Sequence, residues 1–233
     1  MIGSYLRRGM AAGLLAGLLA GLFAFFVGEP FVDQAIHLQE SAAGGHSGEI
    51  FSRATQRVGL FFATGLFGVT AGGIFGLAYA YFGSRLVSET DWISSLSLTA
   101  AIFAGAFLIP FLKYPANPPT VGDPATIADR TASYFAMVVL SLLAVLAAWQ
   151  TAKILRERKV SAPVRHLSVG VGLGLAVTVL FVGLPAAPDP GNFPAGLLWD
   201  FRLSSLGTQL VFWAGLGVIF GLLCERANRN ELL

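Results

Sequence analysis

The segment GEPFVDQAIHLQE holds the densest set of side chains that could bind a cation. Glu29, Asp33 and His37 follow one another at i, i+4 and i+8, and Glu40 comes three residues later. On an α-helix these four fall within an arc of about 80°, so one face presents three carboxylates and an imidazole. Such a donor set suits divalent transition ions such as cobalt, nickel or zinc. His46 and Glu49 follow in the glycine-rich stretch AAGGHSGE, which could fold back toward the same face. Pro30 suits the first turn of a helix, where its missing N–H costs nothing, so a new helix is expected to start there. The candidate metal ligands are therefore Glu29, Asp33, His37, Glu40 and His46. The spacing matches no rigid zinc-site pattern. The same residues also describe the water-facing side of an interfacial helix whose Phe31, Ile36 and Leu38 turn toward lipid or protein.

A second set of donors lies in PFLKYPANPPTVGDPATIADRT. Asn117, Asp123, Thr126 and Asp129 offer oxygens to a hard cation, and Pro110, Pro115, Pro118, Pro119 and Pro124 stiffen the segment. Adjacent prolines favour extended polyproline geometry. This reads as a shaped cap rather than a flexible linker, which would be rich in glycine and serine. No motif for acyl transfer, zinc proteolysis or nucleotide binding occurs, so no enzyme is expected. The three histidines are His37, His46 and His166, the last in a basic segment. The single cysteine, Cys224, has no partner for an internal disulfide. A net charge of +2 gives no footprint for nucleic acid.

The elements that must carry these groups are apolar. Hydrophobic residues make up 55% of the 233 and charged residues 12%, about half the charged fraction of a soluble domain. Six stretches stand out: Gly9 to Val27, Val58 to Phe82, Ile93 to Leu112, Ala132 to Ala152, Leu167 to Leu184, and Leu206 to Cys224. None contains Asp, Glu, Lys, Arg or His. Each approaches the roughly 20 residues needed to cross the hydrocarbon core as a helix. They lack the alternation of barrel strands, and helices satisfy their own backbone groups in lipid. The expected fold is an all-α membrane protein, residues 1–233 forming a single domain of about six transmembrane helices with proline-rich external loops. Arg7 and Arg8 before the first stretch resemble the start of a signal peptide, but the run is long for one, and an uncleaved first span is expected.

Basic residues orient the bundle. With the N-terminus inside, only Arg53, Arg57, Lys113, Arg130 and Arg202 of the 15 fall outside. The positive-inside rule then places both termini in the cytoplasm. Eight of the 13 acidic residues fall on the outer side, Glu29, Asp33 and Glu40 among them. An acidic outer surface raises the local concentration of cations; it is also what a basic interior leaves behind.

Glycine recurs every fourth residue in the first stretch, at Gly9, Gly13, Gly17 and Gly21, and again at Gly68, Gly72 and Gly76 and at Gly217 and Gly221. Such stripes let another helix approach closely, from within the chain or from a partner. Each external loop begins near a proline and ends with an arginine followed closely by Ser or Thr: Arg53-Ala54-Thr55, Arg130-Thr131 and Arg202-Leu203-Ser204.

Several segments together resemble the CbtA family of probable cobalt transporter subunits, over nearly the whole chain. They are Gly28-Glu29-Pro30 with Ala35-Ile36, RATQRVGL from Arg53, the proline-rich segment from Pro110, Asn192-Phe193-Pro194, and the region of Asp200-Phe201-Arg202. The resemblance implies a multi-pass protein of a bacterial or archaeal plasma membrane. Its implied partner is a small, single-span, histidine-rich subunit of the CbtB type, and its implied substrate is the cobalt ion, with no permanently bound cofactor. Two classes of function follow: a permease subunit for cobalt or another cation such as nickel, or a membrane scaffold that does not itself move ions. Spans free of ionisable residues favour the second, whereas unwound backbone carbonyls or a partner's imidazoles would serve the first.

Overall fold

The computed structural model describes residues 2–43, 51–85, 90–119, 121–187 and 189–231. Eight α-helices and no strand are found among them: α1 Ile2–Phe23, α2 Glu29–Ala43, α3 Arg53–Phe82, α4 Asp91–Phe103, α5 Ile109–Lys113, α6 Ile127–Glu157, α7 Ala162–Gly183 and α8 Ala195–Glu231. Joined where they run on, they give six helices long and apolar enough to cross a membrane. Five of the six expected stretches lie inside them, and the fifth overruns its helix by one residue, Leu184, which ends α7. The helices outrun the stretches because hydrophobicity marks only the part that needs lipid, while the hydrogen-bond ladder continues into the interface.

The expected helix start at Pro30 is corrected. Helix α1 runs into α2 without a break through a π-helical turn at Ala24–Gly28, in which the Glu29 N–H reaches back to the Ala24 carbonyl. An interior proline removes a donor and crowds the preceding turn. Widening that turn by one residue relieves the crowding. Pro110 is handled the same way: a π-turn at Ala104–Leu108 precedes it, and the Ile109 N–H donates to Ala104 O. In this register the next acceptor is Gly105 O, and Pro110 has no N–H to give it. The buried Ser141 hydroxyl of α6 stands 2.5 Å from that oxygen. Hydroxyls on neighbouring helices commonly repair proline breaks in membranes this way.

The chain packs as two compact units. The first comprises Met1–Ala100, Ala116–Thr120 and Phe193–Leu233, the second Ala101–Pro115 and Val121–Asn192. In the first unit α1 and α3 run antiparallel, glycine stripe on glycine stripe. A Cβ on Gly9, Gly13 or Gly17 would collide with the backbone carbonyl of Gly72, Gly68 or Thr64, and one on Gly68, Gly72 or Gly76 with that of Gly13, Gly9 or Tyr5. Only glycine permits backbones so close, which brings Cα–H groups onto facing carbonyls. Helix α8 fills the remaining side with Phe212, Leu216 and Phe220, all buried. The Phe220 ring meets Phe75 edge-on at 5.0 Å and Tyr79 at 4.9 Å. Gly217 and Gly221 of α8 lie against Thr99, Trp92 and Ser95 of α4, and the Ser95 hydroxyl donates to Gly217 O at 2.8 Å. One end of this unit closes on Asp91, which accepts from Tyr79 Oη at 2.5 Å and Asn228 Nδ2 at 2.7 Å.

In the second unit α6 and α7 form a hairpin. Lys113 donates to Phe181 O at 2.7 Å and Tyr114 to Pro185 O at 2.7 Å, tying α5 to the end of α7. No residue of α7 is buried.

Candidate functional site

Helix α2 carries the expected stripe, and the start of α3 decides what becomes of it. Ser52 caps α3, its hydroxyl accepting from the Thr55 N–H at 3.3 Å. The cap sets Arg53 and Arg57 one turn apart on the face toward α2, where Glu29 and Asp33 are also one turn apart. Arg53 Nη2 lies 2.7 Å from both Glu29 Oε2 and Asp33 Oδ1, and Arg53 Nε is 3.0 Å from the same Asp33 oxygen. Arg57 reaches Asp33 Oδ2 at 2.5 Å and Glu29 Oε2 at 3.4 Å. Two carboxylates and two guanidinium groups thus form one network of zero formal charge. The Glu29 and Arg53 side chains are only 15% and 23% exposed. The expectation that the whole stripe faces water is therefore corrected for its first two members. Partial burial strengthens the pairing, and the alternating geometry of the four groups satisfies their oxygens and N–H groups together.

One turn later only the imidazole is open to water. His37 is 78% exposed, with its Nδ1 3.7 Å from Glu40 Oε2. His46 and Glu49 lie outside the described residues. Among the described residues no group of three or more His, Cys, Asp or Glu side chains is gathered as a metal site would require. The helix brings Glu29, Asp33, His37 and Glu40 onto one side; the arginines latch the first two, and of the other two His37 is exposed while Glu40 is 19% exposed.

Three residues of the second set, Asn117, Asp123 and Thr126, are employed structurally. Asn117 Oδ1 accepts from Arg202 Nη2 at 2.8 Å. Asp123 Oδ1 accepts from the Ala125 N–H at 2.8 Å, starting a 3-10 turn, and the Asp123 carbonyl accepts from Thr126 and Arg130. Gly122 has φ +99°, and a side chain there would strike the Arg130 guanidinium. The shared arginines at the loop ends thus each hold a loop or helix in place, which is the physical content of their recurrence.

Arg53 and Arg57 are the site residues that a search for ligands overlooks. Their signal was present: opposite charges at the same i, i+4 spacing on the two sides of a helical hairpin.

The family model for CbtA, described as a probable cobalt transporter subunit, covers residues 2–225. No curated protein and no solved structure matches.

Proposed function

The chain belongs to the CbtA family of probable cobalt transporter subunits, and from that premise we propose that it is the membrane-spanning subunit of a cobalt uptake system in a bacterial or archaeal plasma membrane. The observation that carries this reading is the family match across residues 2–225, together with six helices fit to cross a bilayer. Membership of a transporter-subunit family points to a non-enzymatic role. The proposed partner is a small single-span, histidine-rich subunit of the CbtB type, the proposed topology has both termini in the cytoplasm, and the proposed substrate is the hydrated divalent cation.

In the proposed capture step, a cation drawn to the acidic outer loops first meets His37 and Glu40, with His46 able to join from the adjoining segment. Deeper engagement involves Glu29 and Asp33. These carboxylates accept a metal only as Arg53 and Arg57 withdraw, so the ion must gain more from them than the guanidinium groups lose. An ion with imidazole affinity meets that condition better than magnesium, which holds its water tightly. Metal entry and separation of α2 from α3 would thereby be coupled.

A second reading, a scaffold that does not move ions, is favoured by the apolar stretches without ionisable residues and by carboxylates already neutralised. Radioactive cobalt uptake, measured in cells expressing this chain with and without the small partner, separates the two. Uptake that requires this chain, and whose half-maximal cobalt concentration rises in the His37→Ala variant, supports capture. Uptake indifferent to the chain sinks the permease reading. His37 suits this test because its exposed side chain is outside the arginine network.

A further inference from the structure

The α6–α7 hairpin turns through the most basic segment of the chain. Between Ala152 and Leu167 lie Lys153, Arg156, Arg158, Lys159, Arg165 and His166, with Glu157 as the single acid. Glu157 lies 4.0 Å from Lys153. Among the described residues no carboxylate pairs with Arg156, Arg158, Lys159 or Arg165. Arg156, Arg158 and Lys159 are exposed.

The backbone of this turn is unusual in one respect. The Lys159 N–H donates to Arg156 O at 2.9 Å and the Val160 N–H to Leu155 O at 3.0 Å. These two bonds make a Schellman ending, whose reversing residue is left-handed and is usually glycine. Here it is Lys159, at φ 59°. The other described residues with positive φ, Gly122 and Gly191, are glycines. A charged side chain is thus kept where the backbone favours none.

Two simpler explanations cover only part of this. Cations near the end of α6 complement its dipole, but Arg165 sits in the first turn of α7, where the dipole disfavours a cation. Orientation in the membrane needs basic residues in the segment, but glycine at position 159 would still leave Lys153, Arg156, Arg158 and Arg165. Both oddities are removed by an anion between the two helix ends. The Ser161 side chain makes no capping bond to the start of α7, so an anion there would also meet free backbone N–H groups. The segment joins two membrane-crossing helices, which holds it at the depth of lipid headgroups.

We propose that the α6–α7 turn is a binding site for the phosphate headgroup of an anionic phospholipid, formed by Arg156, Arg158, Lys159 and Arg165. The Lys159 ammonium is held over the site by the left-handed turn, and Arg165 closes it from the start of α7.

The test uses the full chain in neutral detergent, with phosphatidylglycerol or phosphatidylcholine added and binding followed by native mass spectrometry and thermal midpoint. The parent is expected to bind phosphatidylglycerol in preference, with affinity falling as salt rises. Lys159→Gly relaxes the turn, so its lipid-free midpoint is expected to rise while its phosphatidylglycerol affinity drops about fivefold. Arg158→Gln with Arg165→Gln is expected to weaken the same lipid further and leave phosphatidylcholine unaffected. A Lys159→Gly protein with a higher midpoint and undiminished phosphatidylglycerol affinity would overturn the proposal. So would a parent that shows no preference between the lipids, or one stabilised as well by inorganic phosphate at equal concentration.

Discussion

At the scale of single residues, the charge network between α2 and α3 sets stability against the proposed capture role. Each arginine satisfies two carboxylates, so removing one leaves negative charge part-buried beside a like charge. The side chains lie between the exposed case, where an ion pair contributes under 1 kcal/mol, and the buried case, where breaking one costs 3–5 kcal/mol. Arg53→Gln is therefore expected to destabilise the protein by about 1–2 kcal/mol, read as a lower thermal midpoint in detergent. The double change Arg53→Gln with Arg57→Gln separates the two functional readings. If Glu29 and Asp33 take part in capture, freeing them lowers the cobalt concentration for half-maximal uptake. An unchanged concentration dependence in a protein that is merely less stable would assign the carboxylates to holding α2 against α3.

At the scale of elements, glycine content has to be judged by what each glycine faces. Gly17 lies against the Thr64 carbonyl and Gly68 Cα, whereas Gly172 of α7 has nothing within 4 Å. Gly17→Leu is expected to force α1 from α3 and cost more than the roughly 1–3 kcal/mol of ordinary overpacking, because backbone rather than side chain must move. Gly172→Leu should leave the midpoint within error. Equal effects of the two would remove the case for a close-packed α1–α3 pair. The π-turn before Pro110 makes a second element-scale prediction. Ser141→Ala leaves Gly105 O without its donor, at a cost of about 0.6–1.7 kcal/mol within a membrane. In a Pro110→Ala background the new N–H can serve that carbonyl, so the same Ser141→Ala change should cost less. A double-mutant cycle with no coupling would show that the hydroxyl does not compensate for the proline.

At the scale of the whole molecule, the proposed topology has six crossings with both termini on one side, the side being assigned from the basic residues. After Cys224→Ala, a cysteine at Ala125 is expected to react with an impermeant maleimide added outside intact cells, and one at Ser161 only after permeabilisation. The reverse pattern would invert the topology. Ala125 is preferred to Gly122 because any side chain at Gly122 meets Arg130 and a left-handed backbone.

Membrane class, helix content and the six helices fit to cross a membrane were legible in the sequence because hydrophobicity is summed residue by residue along a segment, and lipid admits few backbone solutions to an apolar run. The stripe of candidate ligands was legible as a spacing on one helix face. The latching of its first two members was not, because Arg53 lies 24 residues from Glu29 and 20 from Asp33, and only packing of α2 on α3 brings them together. The glycine stripes announced close contact without saying with what; their carbonyls had to meet before α1 and α3 could be named as each other's partners. Pro30 looked like a helix start since local rules treat a proline alone. The tertiary structure carries α1 through it because packing on both sides of the π-turn outweighs one missing hydrogen bond.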